Sequence, residues 1–111
     1  MLPSSVRIFV CTTPQDMRRS FDTLALVVKE QLDINPQSGA MVAFVNKRGN
    51  RLKILWWDQN GYCLLYKRIH GAVFRLPGGG DNGERPVQID GQALARLLTG
   101  EAKKKALRIA A

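Results

Sequence analysis

The chain has 111 residues, 45% of them apolar, and a formal net charge of +8. That length suits one domain with a modest core, and no apolar run approaches the roughly 20 residues of a membrane-spanning helix. Its two cysteines, Cys11 and Cys63, form no C-x-x-C or Cys/His group, which argues against a zinc site and fits a reducing, cytoplasmic setting.

The N-terminus MLPSSVRIFVCTT lacks the charged and long apolar regions of a signal peptide. Val6–Cys11 reads as a strand of β-branched and aromatic residues. Thr13 can N-cap a helix that begins at Pro14, with Asp16 in its first turn. Helical periodicity is strongest over Ser20–Leu32, where Phe21, Leu24, Leu26, Val27, Val28 and Leu32 form the apolar stripe. Asn35-Pro36 ends that helix.

Met41–Val45 is the second strand, and Lys47–Asn50 is a turn in which Gly49 can take positive φ. Arg51–Asp58 is the third strand. Asn60-Gly61 is a hairpin signal of the type that needs positive φ at both central positions. Tyr62–His70 is the fourth strand, and Ala72–Leu76 reads as a fifth. Pro77–Glu84, with Gly78–Gly80, is a loop without regular structure. Val87–Ile89 is extended. Asp90 caps a helix over Gln92–Thr99, stopped by Gly100. The expected organisation is one α+β domain over residues 1–100: an antiparallel meander of four to five strands, one main helix and a shorter C-terminal helix. A basic tail follows over residues 101–111.

Alternation sorts the meander into two faces. A turn at Arg48-Gly49 pairs Val45 with Leu52 and Ala43 with Ile54. A turn at Asn60-Gly61 pairs Trp56 with Leu65. Together with Met41 and Ile69 these make an apolar face, broken only by Lys67. The helix ending at Leu32 is the expected cover. The other face carries Val42, Phe44, Asn46, Arg51, Lys53, Leu55, Trp57, Leu64, Tyr66, Arg68 and His70. A turn over Asp58–Gly61 would move the register by two and leave every residue on its face.

Between residues 47 and 75, Lys47, Arg48, Arg51, Lys53, Lys67, Arg68 and Arg75 stand against Asp58 alone. A sheet surface with that excess charge beside Trp57 and Tyr66 suits a polyanion with stackable bases. Arg51, Lys53, Lys67 and Arg68 are candidate phosphate contacts, with Lys47 and Arg48 in the adjoining turn and Arg18 and Arg19 next. Lys67 points towards the core by alternation, so its stem would lie along the apolar face with its ammonium at the edge. Catalytic signals are weak. Gly78–Gly80 lacks the GK[ST] ending of a phosphate loop, His70 is the sole histidine, and Asp16, Asp22 and Asp58 are the carboxylates a metal-dependent nuclease would use. The competing reading is an interaction module that homodimerises or docks on a protein through Leu55, Trp57, Leu64 and Tyr66.

The stretches DMRRSFDTL (16–24) and SGAMVAFVNKRGNRLKILWWDQNGYCLLYKRI (38–69) closely resemble a bacterial family. It is the small accessory protein, called TnpB, encoded by the second reading frame of insertion-sequence-sixty-six-type transposable elements, and it is unrelated to the RNA-guided nuclease that shares the name. The resemblance runs from about Ser5 to Gly100. It implies a part in transposition beside a separate transposase, with no established enzymatic activity and no known cofactor. It carries over Asp16, Met17, Arg18, Phe21 and Asp22 from the first motif. From the second come Gly49, Arg51, Lys53, Trp56, Trp57, Asp58, Gly61, Tyr66, Lys67 and Arg68. Leu76-Pro77 stands where the family often has tryptophan-proline, and nothing is carried onto that segment. The expected function is a non-catalytic accessory component that binds DNA, with RNA as the alternative. The expected partners are the transposase and a second copy of the chain; neither a membrane nor a small-molecule substrate is expected. Asp16-Met17-Arg18 is either a functional signature or a buried ion pair bracing the helix start.

Overall fold

The computed structural model describes residues 5–77 and 85–103. Gly78–Gly80, the rest of the loop to Glu84, and Lys104-Lys105 lie outside the described residues. Strands β1 (Ile8–Val10), β2 (Met41–Val45), β3 (Arg51–Asp58), β4 (Gly61–Arg68) and β6 (Val87–Ile89) form one sheet in the order β4-β3-β2-β1-β6. Helix α1 (Phe21–Leu26) widens into a π-helical segment, Val27–Gln31, and helix α2 spans Gly91–Thr99.

The α+β expectation holds, but the sheet is mixed. Only β2, β3 and β4 form the meander. β1 runs parallel to β2, with Ile8 beside Met41 and Val10 beside Ala43. A parallel pair cannot be closed by a tight turn and needs a crossover, which α1 supplies. The fifth strand is Val87–Ile89, antiparallel to β1, and not Ala72–Leu76. Ala72–Val73 instead forms β5, which pairs with β7 (Glu101–Ala102) in a separate two-stranded sheet.

No helix begins at Pro14. The chain leaving β1 stays extended beside β2, where Cys11 N–H donates to Ala43 O and Gln15 N–H to Val45 O. Those ladder bonds replace the local cap that Thr13 could offer. Residues 16–19 then turn, with Arg19 N–H donating to Asp16 O, and α1 starts after Ser20, whose N–H is taken by Thr23 Oγ1 at 2.9 Å. At the other end, Leu32 N–H reaches Val27 O, five residues back, as in a π-turn. Leu24, Val27, Val28 and Leu32 are buried, while Phe21 and Leu26 of the expected stripe are exposed.

The two helices cover the opposite faces from those expected. Leu94 and Leu97 of α2 pack on Ile8, Val10, Met41, Ala43, Val45, Leu52 and Ile54, together with Phe74. Leu24, Ala25, Val27, Val28 and Leu32 pack on Val42, Phe44 and Leu55 on the other side. The result is three layers, helix–sheet–helix, with β2 buried on both faces, as in a central strand. The apolar patch read as a docking surface is therefore largely consumed. Leu55 is buried beneath α1, with Leu64 packed beside it.

The β2–β3 register is as expected, with Val45 opposite Leu52 and Ala43 opposite Ile54. The β3–β4 hairpin takes the alternative turn. Asp58 pairs with Gly61, so the central residues are Gln59 and Asn60, and Gln59 carries the positive φ of 54°. This register sets Trp57 opposite Tyr62, where the rings meet edge to face at 5.0 Å. An aromatic cross-strand pair of this kind stabilises one register over another.

Candidate nucleic-acid interface

One end of the sheet gathers the cations. Arg51 begins β3 and Arg68 ends β4, directly opposite each other in the ladder and on the α1 side of the sheet. The preceding turn presents Lys47 and Arg48, both exposed. Asn46 shapes that turn. Its Oδ1 accepts from the backbone N–H groups of Asn50 and Arg51, and its Nδ2 donates to Asn50 Oδ1 at 2.8 Å. Residues 14–18 fold over the same end and close a cleft of about 560 Å³. Its lining includes Arg18, Asn46, Lys47, Arg48, Arg51 and Tyr66.

Asp16 is the cleft's acidic member and is already engaged. Arg18 Nη2 lies 2.7 Å from its Oδ2, and Arg18 N–H donates to its Oδ1 at 2.9 Å. Those bonds, the side-chain ones first, hold the Asp16 carboxyl at a pKa of about 2. The pair is exposed, not buried, with the Arg18 side chain 91% accessible. Among the described residues the only other ion pair is Arg75–Glu101. Lys47, Arg48, Arg51 and Arg68 therefore have no carboxylate partner there.

Lys53 lies on the face its strand position assigns, but it is buried and not a solvent-facing phosphate contact. It is only 5% exposed. Its ammonium donates to Met17 O at 2.8 Å and Arg19 O at 2.6 Å, and it lies 4.6 Å from the Tyr66 ring centroid. Its charge is spent on pinning the 16–19 loop to the sheet, which takes it out of the set of solvent-facing cations. Tyr66, on the strand opposite, takes that ammonium on one ring face and accepts a hydrogen bond from Arg51 Nη1 at 2.9 Å. It remains 48% exposed.

The model of the IS66 Orf2 like protein family matches residues 6–107. The chain belongs to that family. IS66 Orf2-like membership ties it to transposition in an accessory role, outside the known catalytic families. Two relatives from Sinorhizobium fredii (strain NBRC 101917 / NGR234) are similar to it. Uncharacterized protein y4hO is 40% identical over 104 residues, covering 90% of this chain and 86% of the relative. Uncharacterized protein y4jC is 35% identical over 72 residues, covering 65% of this chain and 62% of the relative. No solved structure matches.

The remaining sequence-selected residues of this IS66 Orf2-like chain are dispersed. Trp57 stands six residues along β3 from Arg51, roughly 20 Å away at strand spacing, so it does not share the cleft with Tyr66. Lys67 lies on the α2 side, where its Nζ donates to Leu98 O at 2.7 Å. A cation is favourable against the final carbonyls of a helix. Arg19 is exposed beside the cleft. Of the three carboxylates, Asp16 is paired with Arg18, Asp22 is in the first turn of α1 and Asp58 closes the distant hairpin. His70 is exposed. The sequence reading missed Asn46 as a cleft residue. Its signal was an Asn at a strand end before a glycine-containing turn, a position where the side chain commonly bonds local backbone. Among the described residues no helix is long and apolar enough to cross a membrane.

Proposed function

We propose that the chain is a non-catalytic accessory component of insertion-sequence transposition that binds nucleic acid, DNA in the first instance, through the basic end of its sheet. Arg51, Arg68, Lys47 and Arg48 contact phosphates, with Arg18 and Arg19 at the rim. Tyr66 offers its exposed edge to a base or sugar. Lys53 serves as the brace that sets the 16–19 loop over the cleft, and Trp57 belongs to the packing of the far end.

The observation that carries this reading is the Arg51–Arg68 pair. Like charges directly opposite on neighbouring strands are destabilising, and here two more cations adjoin them, while the cleft's one carboxylate among the described residues, Asp16, is paired with Arg18. A phosphate backbone relieves that repulsion and releases counterions as it binds. The test is fluorescence anisotropy of labelled single- and double-stranded DNA, with element-end or scrambled sequence, at two salt concentrations. Affinity that falls steeply with salt supports the reading, and the end-to-scrambled ratio measures selectivity. Absence of binding at low salt rejects it, and the transposase becomes the partner to test.

A further inference from the structure

The two edges of the main sheet are unequal. At one edge β6 offers three residues, Val87–Ile89. At the other, β4 offers eight, Gly61–Arg68, and pairs with β3 at every one of them without a bulge. No described strand lies on its outer side. Exposed edges are normally blunted by brevity, proline, bulges or charge. β4 has only charge, and only at one end, in Lys67 and Arg68. Its middle reads Tyr62, Cys63, Leu64, Leu65 and Tyr66, with Leu65 38% exposed.

The direction of its free backbone groups follows from the ladder. Ile69 N–H donates to Asn50 O, so the 50–69 pair is hydrogen-bonded. In an antiparallel ladder hydrogen-bonded and non-bonded pairs alternate. Residues 61, 63, 65 and 67 therefore bond to β3, while Tyr62, Leu64, Tyr66 and Arg68 turn their N–H and C=O groups outward.

We propose that β4 pairs antiparallel with β4 of a second copy, about a two-fold axis at Leu65, to form one continuous ten-stranded sheet. In this register Tyr62 faces Arg68 of the other copy and Leu64 faces its Tyr66, so all four outward-facing residues of each strand find partners. Lys67 faces Cys63 of the other copy, and no cation faces a cation. Leu65 meets its own counterpart in a non-bonded pair, where side chains approach most closely. Each half of the interface supplies what the other lacks: the charged end of one strand lies against the neutral end of its mate. A two-fold axis perpendicular to the sheet keeps both Arg51–Arg68 clusters on the same side. The two Arg68 Cα atoms then stand roughly 20 Å apart along the strands. The pairing needs no nucleic acid.

Light scattering coupled to size exclusion, across the micromolar range, should give twice the chain mass for the wild type. Leu65→Lys sets two like charges on the axis and should halve that mass with an unchanged far-UV circular dichroism spectrum. In a Cys63→Ser background, with Cys11 buried, Leu65→Cys should form a disulfide-linked dimer on mild oxidation, whereas Leu64→Cys should not. A wild type that is monomeric at every concentration, a dimer that survives Leu65→Lys, or cross-linking through Leu64→Cys in place of Leu65→Cys overturns the proposal.

Discussion

Strands β3 and β4 carry opposite chemistry at their two ends. At the Arg51–Arg68 end like charges face each other and the cleft beside them is lined by cations. At the Trp57–Tyr62 end the cross-strand pair is aromatic and meets edge to face. Read along the chain, basic and aromatic residues interleave and suggest one mixed surface. Pairing separates them, because position along a strand, and not order in the sequence, decides which neighbours a side chain has. One end of the hairpin is arranged for self-consistency, and the other sets like charges together with no ion-pair partner among the described residues.

Substitutions at each end should therefore divide stability from binding. Trp57→Ala should destabilise the fold by about 2–3 kcal/mol, at or below the lower limit for fully buried aromatic truncations because the ring is half-buried. Salt-dependent DNA affinity should be unmoved, and urea denaturation with parallel anisotropy checks both. Lys53→Met strips two charge-assisted bonds and leaves the Met17 and Arg19 carbonyls short of a donor. A loss of about 2 kcal/mol is expected, with faster amide exchange across residues 16–19 by NMR. If binding weakens too, the loop rather than the ammonium is the cause, and the salt slope should stay nearly constant.

The double variant Arg51→Ala/Arg68→Ala inverts that pattern. Removing facing like charges should leave stability unchanged or raise it by up to about 1 kcal/mol. DNA affinity should drop, and the slope of log K against log salt should flatten by about two phosphate contacts. A slope identical to wild type would remove these residues from the interface. The smallest effect concerns Asp16. Its folded pKa lies below the ordinary 3.8, so whatever the Arg18 pair adds is fully present above that value and is lost as pH falls towards about 2. Carbon-detected NMR should find the Asp16 midpoint near 2, and Arg18→Ala should return it towards 3.8.

Much of the meander was legible in sequence. β2 and β3 end where glycine and polar turn residues begin, and a period of two assigns each side chain to a face whatever the hairpin register. That is why the turn could move from Asn60-Gly61 to Gln59-Asn60 without moving any residue across the sheet. Which helix covers which face was not legible. It depends on β1 lying parallel to β2, and alternation within a strand carries no record of the direction of its neighbour. The same gap hid Lys53. Its face was read correctly, but the loop that receives its ammonium reaches the sheet only through the crossover. Half of the site, Arg51 with Arg68 and the turn cations, follows from local pairing. The other half, Arg18 over the cleft and Lys53 beneath it, is tertiary.

The pairing of β1 with β6 bears on how the chain folds during synthesis. Ile8 aligns with Ile89, so one edge of the sheet is made by segments far apart in sequence. The β3–β4 hairpin is local and can form in microseconds once it is free of the ribosome. Its apolar side, with Leu52 and Ile54, nevertheless waits for Leu94 and Leu97 of α2. At typical translation speeds that wait is on the order of seconds. Throughout it the apolar face around Leu52 and Ile54 lacks the cover that Leu94 and Leu97 give it in the folded domain.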